Sequence, residues 1–228
     1  MGLDLVELWN NMSIIVKIIT VLMIGMSVFM FYIIAERLIT YRAASDQSIR
    51  YVQALGEYLR QHKVTEALNS ARTMTKSPVA KVMESGLTAL IQGREALKTE
   101  GPDDVGDFDL VDSVNRALER VKERETASLR KGMSFLGTVA SATPFIGLLG
   151  TVVGILGTFQ LLKGGSVTIN EIGPKISEAL VSTALGLAVA IIAAMSFNFF
   201  TSRVEQYVID MNDVSSEFID YVLREGRA

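Results

Sequence analysis

From Ala179 to Ser202 the chain carries no charged side chain, and Gly132 to Leu162 is likewise free of charge. A third apolar block, Ile14 to Ala35, is interrupted only by Lys17. A bilayer core about 30 Å thick is crossed by about 20 apolar residues of helix at 1.5 Å each. All three blocks meet that length, and Lys17 lies near one end, where its ammonium can snorkel to the interface. In a soluble domain the apolar residues, 49% of these 228, would be spread periodically. Here they are concentrated in blocks. The expected fold is an all-α membrane protein with three transmembrane helices and long cytoplasmic helical extensions.

The first block reads as a retained anchor rather than a cleaved leader. It is long for a leader core, no basic segment precedes it, and Ala35-Glu36-Arg37 is a poor cleavage site. Orientation follows from the basic residues. Residues 1–13 contain none, whereas the region between the first and second spans opens with Arg37, Arg42 and Arg50 and closes with Arg124, Arg130 and Lys131. By the positive-inside rule that region is cytoplasmic. The expected order is an external segment 1–13, spans 14–35, 132–162 and 174–202, a cytoplasmic region 36–131, an external turn 163–173 and a cytoplasmic C-terminal helix 203–228. The short turn beginning at Lys163 makes the second and third spans an antiparallel hairpin, and Gly173-Pro174 marks the start of the third.

The cytoplasmic region is polar but helix-patterned. Ser77-Pro78 reads as an N-cap followed by proline at the first helical position, opening a helix through about Ile91. Leu110, Val114, Ala117, Leu118 and Val121 recur at helical spacing opposite Arg116, Glu119, Arg120 and Glu123. With no proline and only Gly132 to interrupt it, that helix is expected to run into the second span as one rod. Val204, Val208, Met211 and Phe218 form the apolar side of a second rod after Arg203.

Several chemistries find no support. Cysteine is absent and His62, the single histidine, sits in a polar run, so no metal site or cofactor is expected. The aspartates at 103, 104, 107, 109 and 112 lack the ligand spacing of a calcium loop and read as a turn, with Asp107 or Asp109 capping the next helix. Gly147-Leu-Leu-Gly-Thr-Val-Val-Gly lies in an apolar span without lysine and is no phosphate cradle. No nucleophile–base pair points to an enzyme, and a net charge of −3 makes no case for nucleic acid.

The residues that ask for a function are polar and lie in the last two spans. Glu178 stands at the edge of the third, and a carboxylate near lipid is costly unless paired, protonated or facing water. At 100° per residue, Glu171, Lys175, Glu178 and Ser182 share one helix face, with Ser196 below. Pro144, Thr151 and Thr158 align in the second span beside Gly147 and Gly154. Hydroxyls along one side of each helix suit a narrow hydrated path, and Gly150, Gly154, Gly157, Ala184, Gly186 and Ala190 suit close helix approach. Plainer readings stand beside this one: threonines bonded to their own helix backbone, glycines that serve packing alone, and Glu178 as an interfacial residue snorkelling outward or pairing with Lys175.

Leu136-Gly-Thr-Val-Ala-Ser-Ala-Thr-Pro-Phe-Ile-Gly-Leu-Leu-Gly-Thr-Val-Val-Gly-Ile-Leu and Ile172-Gly-Pro-Lys-Ile-Ser-Glu-Ala-Leu-Val-Ser-Thr-Ala-Leu-Gly-Leu resemble the ExbB/TolQ family of proton-channel subunits, related more distantly to MotA. The resemblance implies a ring-forming homo-oligomer, a pentamer, in the bacterial inner membrane. Its second and third helices would surround the single transmembrane helices of an ExbD/TolR-like partner dimer, each bearing an aspartate. Glu178, Thr151 and Thr183 match the family's pore residues, and Pro144 its proline ahead of the Gly-Leu-Phe-Gly-Thr motif. Leu149 stands where that motif has Phe, Val153 where Trp is usual, and Lys175 replaces a small residue at the outer mouth beside Glu171. The short N-terminus looks more like TolQ than the long ExbB forms. The implied function is a proton-motive-force-driven motor subunit energising a process at the cell envelope. A secondary transporter is the alternative, disfavoured by three spans without an inverted repeat. A non-conducting membrane scaffold is the other.

Overall fold

The computed structural model describes Trp9 and residues 12–99, 109–162 and 169–225, with the backbone alone at 99, 161–162 and 169–171. Every regular element among them is helical: α1 Ile14–Arg60, α2 Val64–Thr73, α3 Pro78–Thr99, α4 Leu110–Leu129, α5 Met133–Leu162 and α6 Ile169–Glu225. Three of these, α1, α5 and α6, contain stretches long and apolar enough to cross a membrane. The all-α, three-span architecture expected from the charge-free blocks is what the chain adopts. The expected turn at Lys163 and the aspartates Asp103, Asp104 and Asp107 lie outside the described residues.

Two compact units emerge, to both of which α1 and α6 contribute. One comprises residues 1–35 and 132–200, the other 36–131 and 201–228. The first is the apolar unit. Its interior holds Val16, Met23 and Met30 of α1, Leu136, Val139 and Thr143 of α5, and Ala179, Val189 and Ala193 of α6. Phe29 and Phe135 meet edge-to-face with ring centroids 4.7 Å apart. Outward lie Phe145, Leu148, Val152, Leu156 and Phe159 on α5 and Leu180, Leu187, Ile191 and Met195 on α6. A surface that apolar belongs in lipid or against other apolar helices.

The second unit packs like a soluble helical domain. Tyr51, Met83, Leu87, Leu90, Leu118, Met211 and Phe218 are fully buried. Val114, Ala117 and Leu118 are the buried stripe foreseen on α4, and Val204, Met211 and Phe218 that on α6. Ser77 caps α3 as expected, its Oγ accepting the Ala80 N–H at 3.0 Å, and the helix continues past Ile91 to Thr99. Asp109 caps α4 by accepting from the Val111 and Asp112 amides. Arg37 is buried and donates to the Ser128 and Leu129 carbonyls, while the Tyr41 hydroxyl donates to Leu129 O at 2.7 Å. A cation at the carbonyl end of α4 is favoured by the helix dipole. The Arg37 guanidinium, hydrogen-bonded to Glu36, holds that carboxyl below its ordinary range.

Two boundaries differ from expectation. The rod foreseen from α4 into the second span is broken: α4 ends at Leu129, and Gly132 adopts φ +80° before α5 begins. A left-handed residue cannot continue a right-handed helix, and glycine takes that conformation without steric cost. The helix that carries the third apolar block begins not at Pro174 but at Ile169, with Pro174 inside it. Proline there removes only its own bond to the carbonyl four residues back, at Asn170, next to the free end.

Candidate functional site

Glu178 lies in the apolar unit with only 1% of its surface exposed, so its carboxylate does not reach outward from the chain. Taking a carboxylate out of water costs several kcal/mol, about as much as a good set of partners returns. Two groups supply that return. The Ser13 backbone N–H, just ahead of α1, donates to Oε1 at 2.9 Å. Lys175, one turn earlier on α6, places Nζ 3.7 Å from Oε2. At that separation the contact is an ion pair rather than a hydrogen bond, and Oε2 accepts none from any described residue. One oxygen is thus fixed by Ser13, while the other lies buried beside the Lys175 ammonium. Among the sequence-stripe residues, Lys175 and Glu178 are therefore together, while the Glu171 side chain lies outside the described residues.

One turn further along α6, Ser182 is 1% exposed and its Oγ has no hydrogen-bond partner among the described residues. It points at α5: a Cβ on Gly150 would stand 2.2 Å from Ser182 Oγ. The two helices come closest where Gly147 meets Gly186. A Cβ on Gly186 would lie 2.6 Å from the Thr143 carbonyl oxygen, and one on Gly147 3.1 Å from Ser182 O. Gly154 is closed in the same way by Ala179, at 2.8 Å. The small residues at 147, 150, 154 and 186 therefore bring backbones together. Gly157, by contrast, has open space at its Cβ, and Ala184 is exposed, so these two stand apart from that seam.

The hydroxyls divide into two groups. Thr183 Oγ1 donates across the seam to Gly147 O at 3.0 Å, tying α6 to α5. Thr151 Oγ1 donates to Leu148 O at 2.7 Å and Thr158 Oγ1 to Gly154 O at 3.1 Å, both within α5. The backbone-bonded reading holds for both of these threonines. Thr158 is buried, whereas Thr151 is partly exposed beside the outward-facing Leu148 and Val152. Pro144 lies inside α5 next to the buried Thr143. Lys17 Nζ sits 5.9 Å from the centre of the Trp9 ring. Among the described residues no group of three or more His, Asp or Glu side chains converges as a metal site would require.

Sequence reasoning missed Ser13 as Glu178's partner, and Thr20 and Thr143 as buried hydroxyls of the same unit. A signal for Ser13 was present: serine immediately before an apolar helical run is a preferred N-cap.

Residues 74–213 match the model of the MotA/TolQ/ExbB proton channel family. The Tol-Pal system protein TolQ of Haemophilus influenzae is 30% identical over 226 residues, 98% of this chain and 96% of that protein. TolQ of Pseudomonas aeruginosa is 28% identical over 94% of this chain and 92% of its own. The biopolymer transport protein ExbB of Xanthomonas campestris pv. campestris is 46% identical over 97 residues, 42% of this chain and 38% of its own.

Proposed function

Because this chain belongs to the MotA/TolQ/ExbB proton channel family, we propose that it is the channel and stator subunit of a motor in the bacterial inner membrane driven by proton-motive force. Similarity along nearly the whole chain to proteins of the Tol-Pal system favours work at the cell envelope. Copies of the subunit assemble as a ring, a pentamer, around an ExbD/TolR-like partner dimer whose single spans each bear an aspartate. The outward apolar faces of α5 and α6 supply surface for both lipid and neighbouring copies. The N-terminus lies outside and the C-terminus in the cytoplasm, as the basic residues direct.

The observation that carries the reading is Glu178, a carboxylate buried among apolar helices with one oxygen that accepts no hydrogen bond from a described residue. Protons exchange between the partner's aspartate and a path that passes Thr151, Thr183 and Glu178. Neutralising the aspartate lowers the cost of its facing an apolar wall and lets the partner move relative to the ring. A charge crossing the membrane field gains about 2.3 kcal/mol per 100 mV, enough to bias each step. Glu178 tunes the field along the path or relays the proton.

A scaffold reading is favoured by one observation, the seam of Gly147, Gly150, Gly154 and Gly186, which packs α5 closely against α6. The two part company on the partner's aspartate. Changing it to asparagine stops motor work and leaves the complex intact if the subunit is a channel wall. Work that continues at full rate in that intact complex would favour the scaffold.

A further inference from the structure

We propose that Glu178 completes, from the third membrane helix, the N-terminal cap of the first, and that the charge on its carboxylate sets how firmly the start of α1 is held. This rests on the reading of Glu178 as a proton-exchanging group.

A capping box has two halves. The capping residue's side chain accepts an N–H from the helix's first turn, and an acid or amide at the third helical position reaches back to the capping residue's own N–H. The start of α1 has the first half. Ser13 Oγ accepts from the Val16 N–H at 3.4 Å, and Ser13 O accepts from the Lys17 N–H at 2.9 Å. The second half is missing from its own helix, because the third helical position is Val16, apolar and fully buried. Glu178 Oε1 takes that place, accepting the Ser13 N–H from a point 165 residues further along the chain. The acid also stands at the positive end of the α1 dipole, where a negative charge is favoured.

Among the described residues, the groups around this bond leave few other sources of pH dependence. Lys175 faces Glu178 from its own helix. From α1 the charged side chain near the cap is Lys17, directed at the Trp9 ring. No residue between Met133 and Gln160 of α5 is titratable. Hydrogen bonds to an ionised acceptor are roughly twice as strong as neutral ones. A neutral carboxyl at Glu178 therefore keeps the Ser13 bond and weakens it, loosening the start of α1. The first membrane helix then reads the protonation state of the third.

Trp9, the chain's single tryptophan, reports on this directly. The intact protein in detergent is titrated with acid while Trp9 emission is followed. A reversible transition is expected in the native protein and its loss in Glu178→Gln, which keeps an acceptor but carries no titratable charge. Amides at the start of α1 exchange about tenfold faster in Glu178→Gln, the ratio between a charged and a neutral hydrogen bond. Ser13→Pro, which removes the donor, gives a second arm: emission should stay in its acid form at every pH, and adding Glu178→Gln should change nothing further. An unaltered Trp9 transition in Glu178→Gln, or full additivity of the two substitutions, overturns the proposal. Neither readout needs the partner or a proton gradient. A Glu178-dependent transition in a protein whose Glu178→Ala form still drives the motor would keep the cap and remove Glu178 from the proton path.

Discussion

The two units of this chain are both helical and both bury large apolar side chains, yet among the described residues only one joins two helices backbone to backbone at glycine. In the unit of residues 36–131 and 201–228, large side chains fill the interior: Tyr51, Met83, Leu87, Leu118 and Phe218 are each fully buried. In the unit of residues 1–35 and 132–200, α5 and α6 meet through glycine, with Gly186 against the Thr143 carbonyl and the Gly147 backbone. Water rewards burial of apolar area, at roughly 25 cal/mol per Å². Lipid does not, because its tails are as apolar as leucine, and helices there associate by close approach and hydrogen bonds. The contrast extends to orphaned polar atoms. Buried hydroxyls without partners occur in both units, at Tyr51 and Ser215 in one and at Thr20 and Ser182 in the other. Among the described residues, the orphaned carboxylate oxygen occurs only in the apolar unit, at Glu178.

Opposite substitutions should therefore injure the interior of one unit and the seam of the other, and truncating a buried side chain should cost more than adding a methyl. Leu118→Ala removes a fully buried side chain that packs on Gly86, and should cost about 2–5 kcal/mol. Thermal unfolding of the whole protein in detergent, with amide exchange to locate the loss in α3 and α4, measures it. Gly186→Ala is the reverse test, adding a methyl 2.6 Å from a backbone oxygen that has no rotamer to escape into. It should cost about 1–3 kcal/mol, read by the same unfolding experiment. Gly157→Ala, whose methyl meets open space, should be neutral or slightly stabilising. Equal costs at positions 157 and 186 would break the comparison, since packing would then not depend on the close approach at the seam.

Much of the fold was legible because its strongest signals are physical exclusions. Charge cannot enter lipid cheaply, so the three spans announced themselves, and Ser77 and Asp109 supply hydroxyl and carboxylate oxygens where helices start. The break between α4 and α5 was harder to read. Gly132 was visible as an interruption, but a glycine inside a helix and one at φ +80° look alike in sequence. The start of α6 was displaced because Pro174 marks only where one backbone bond is lost, and so near an end one bond is affordable. At the site, Lys175 and Glu178 one turn apart could be paired by spacing alone. Ser13 could not, since its bond to Glu178 joins opposite ends of the chain and no local periodicity records it. Helical spacing also put Thr151 and Thr158 on one face without revealing that each hydroxyl bonds to its own helix.

The most direct test of the account measures proton entry into vesicles containing the assembled complex, comparing the native subunit with Glu178→Ala under the same imposed potential. The account predicts intact assembly with proton flux reduced by at least about tenfold, the equivalent of roughly 1.4 kcal/mol on the path. Native flux through a fully assembled Glu178→Ala complex would contradict it.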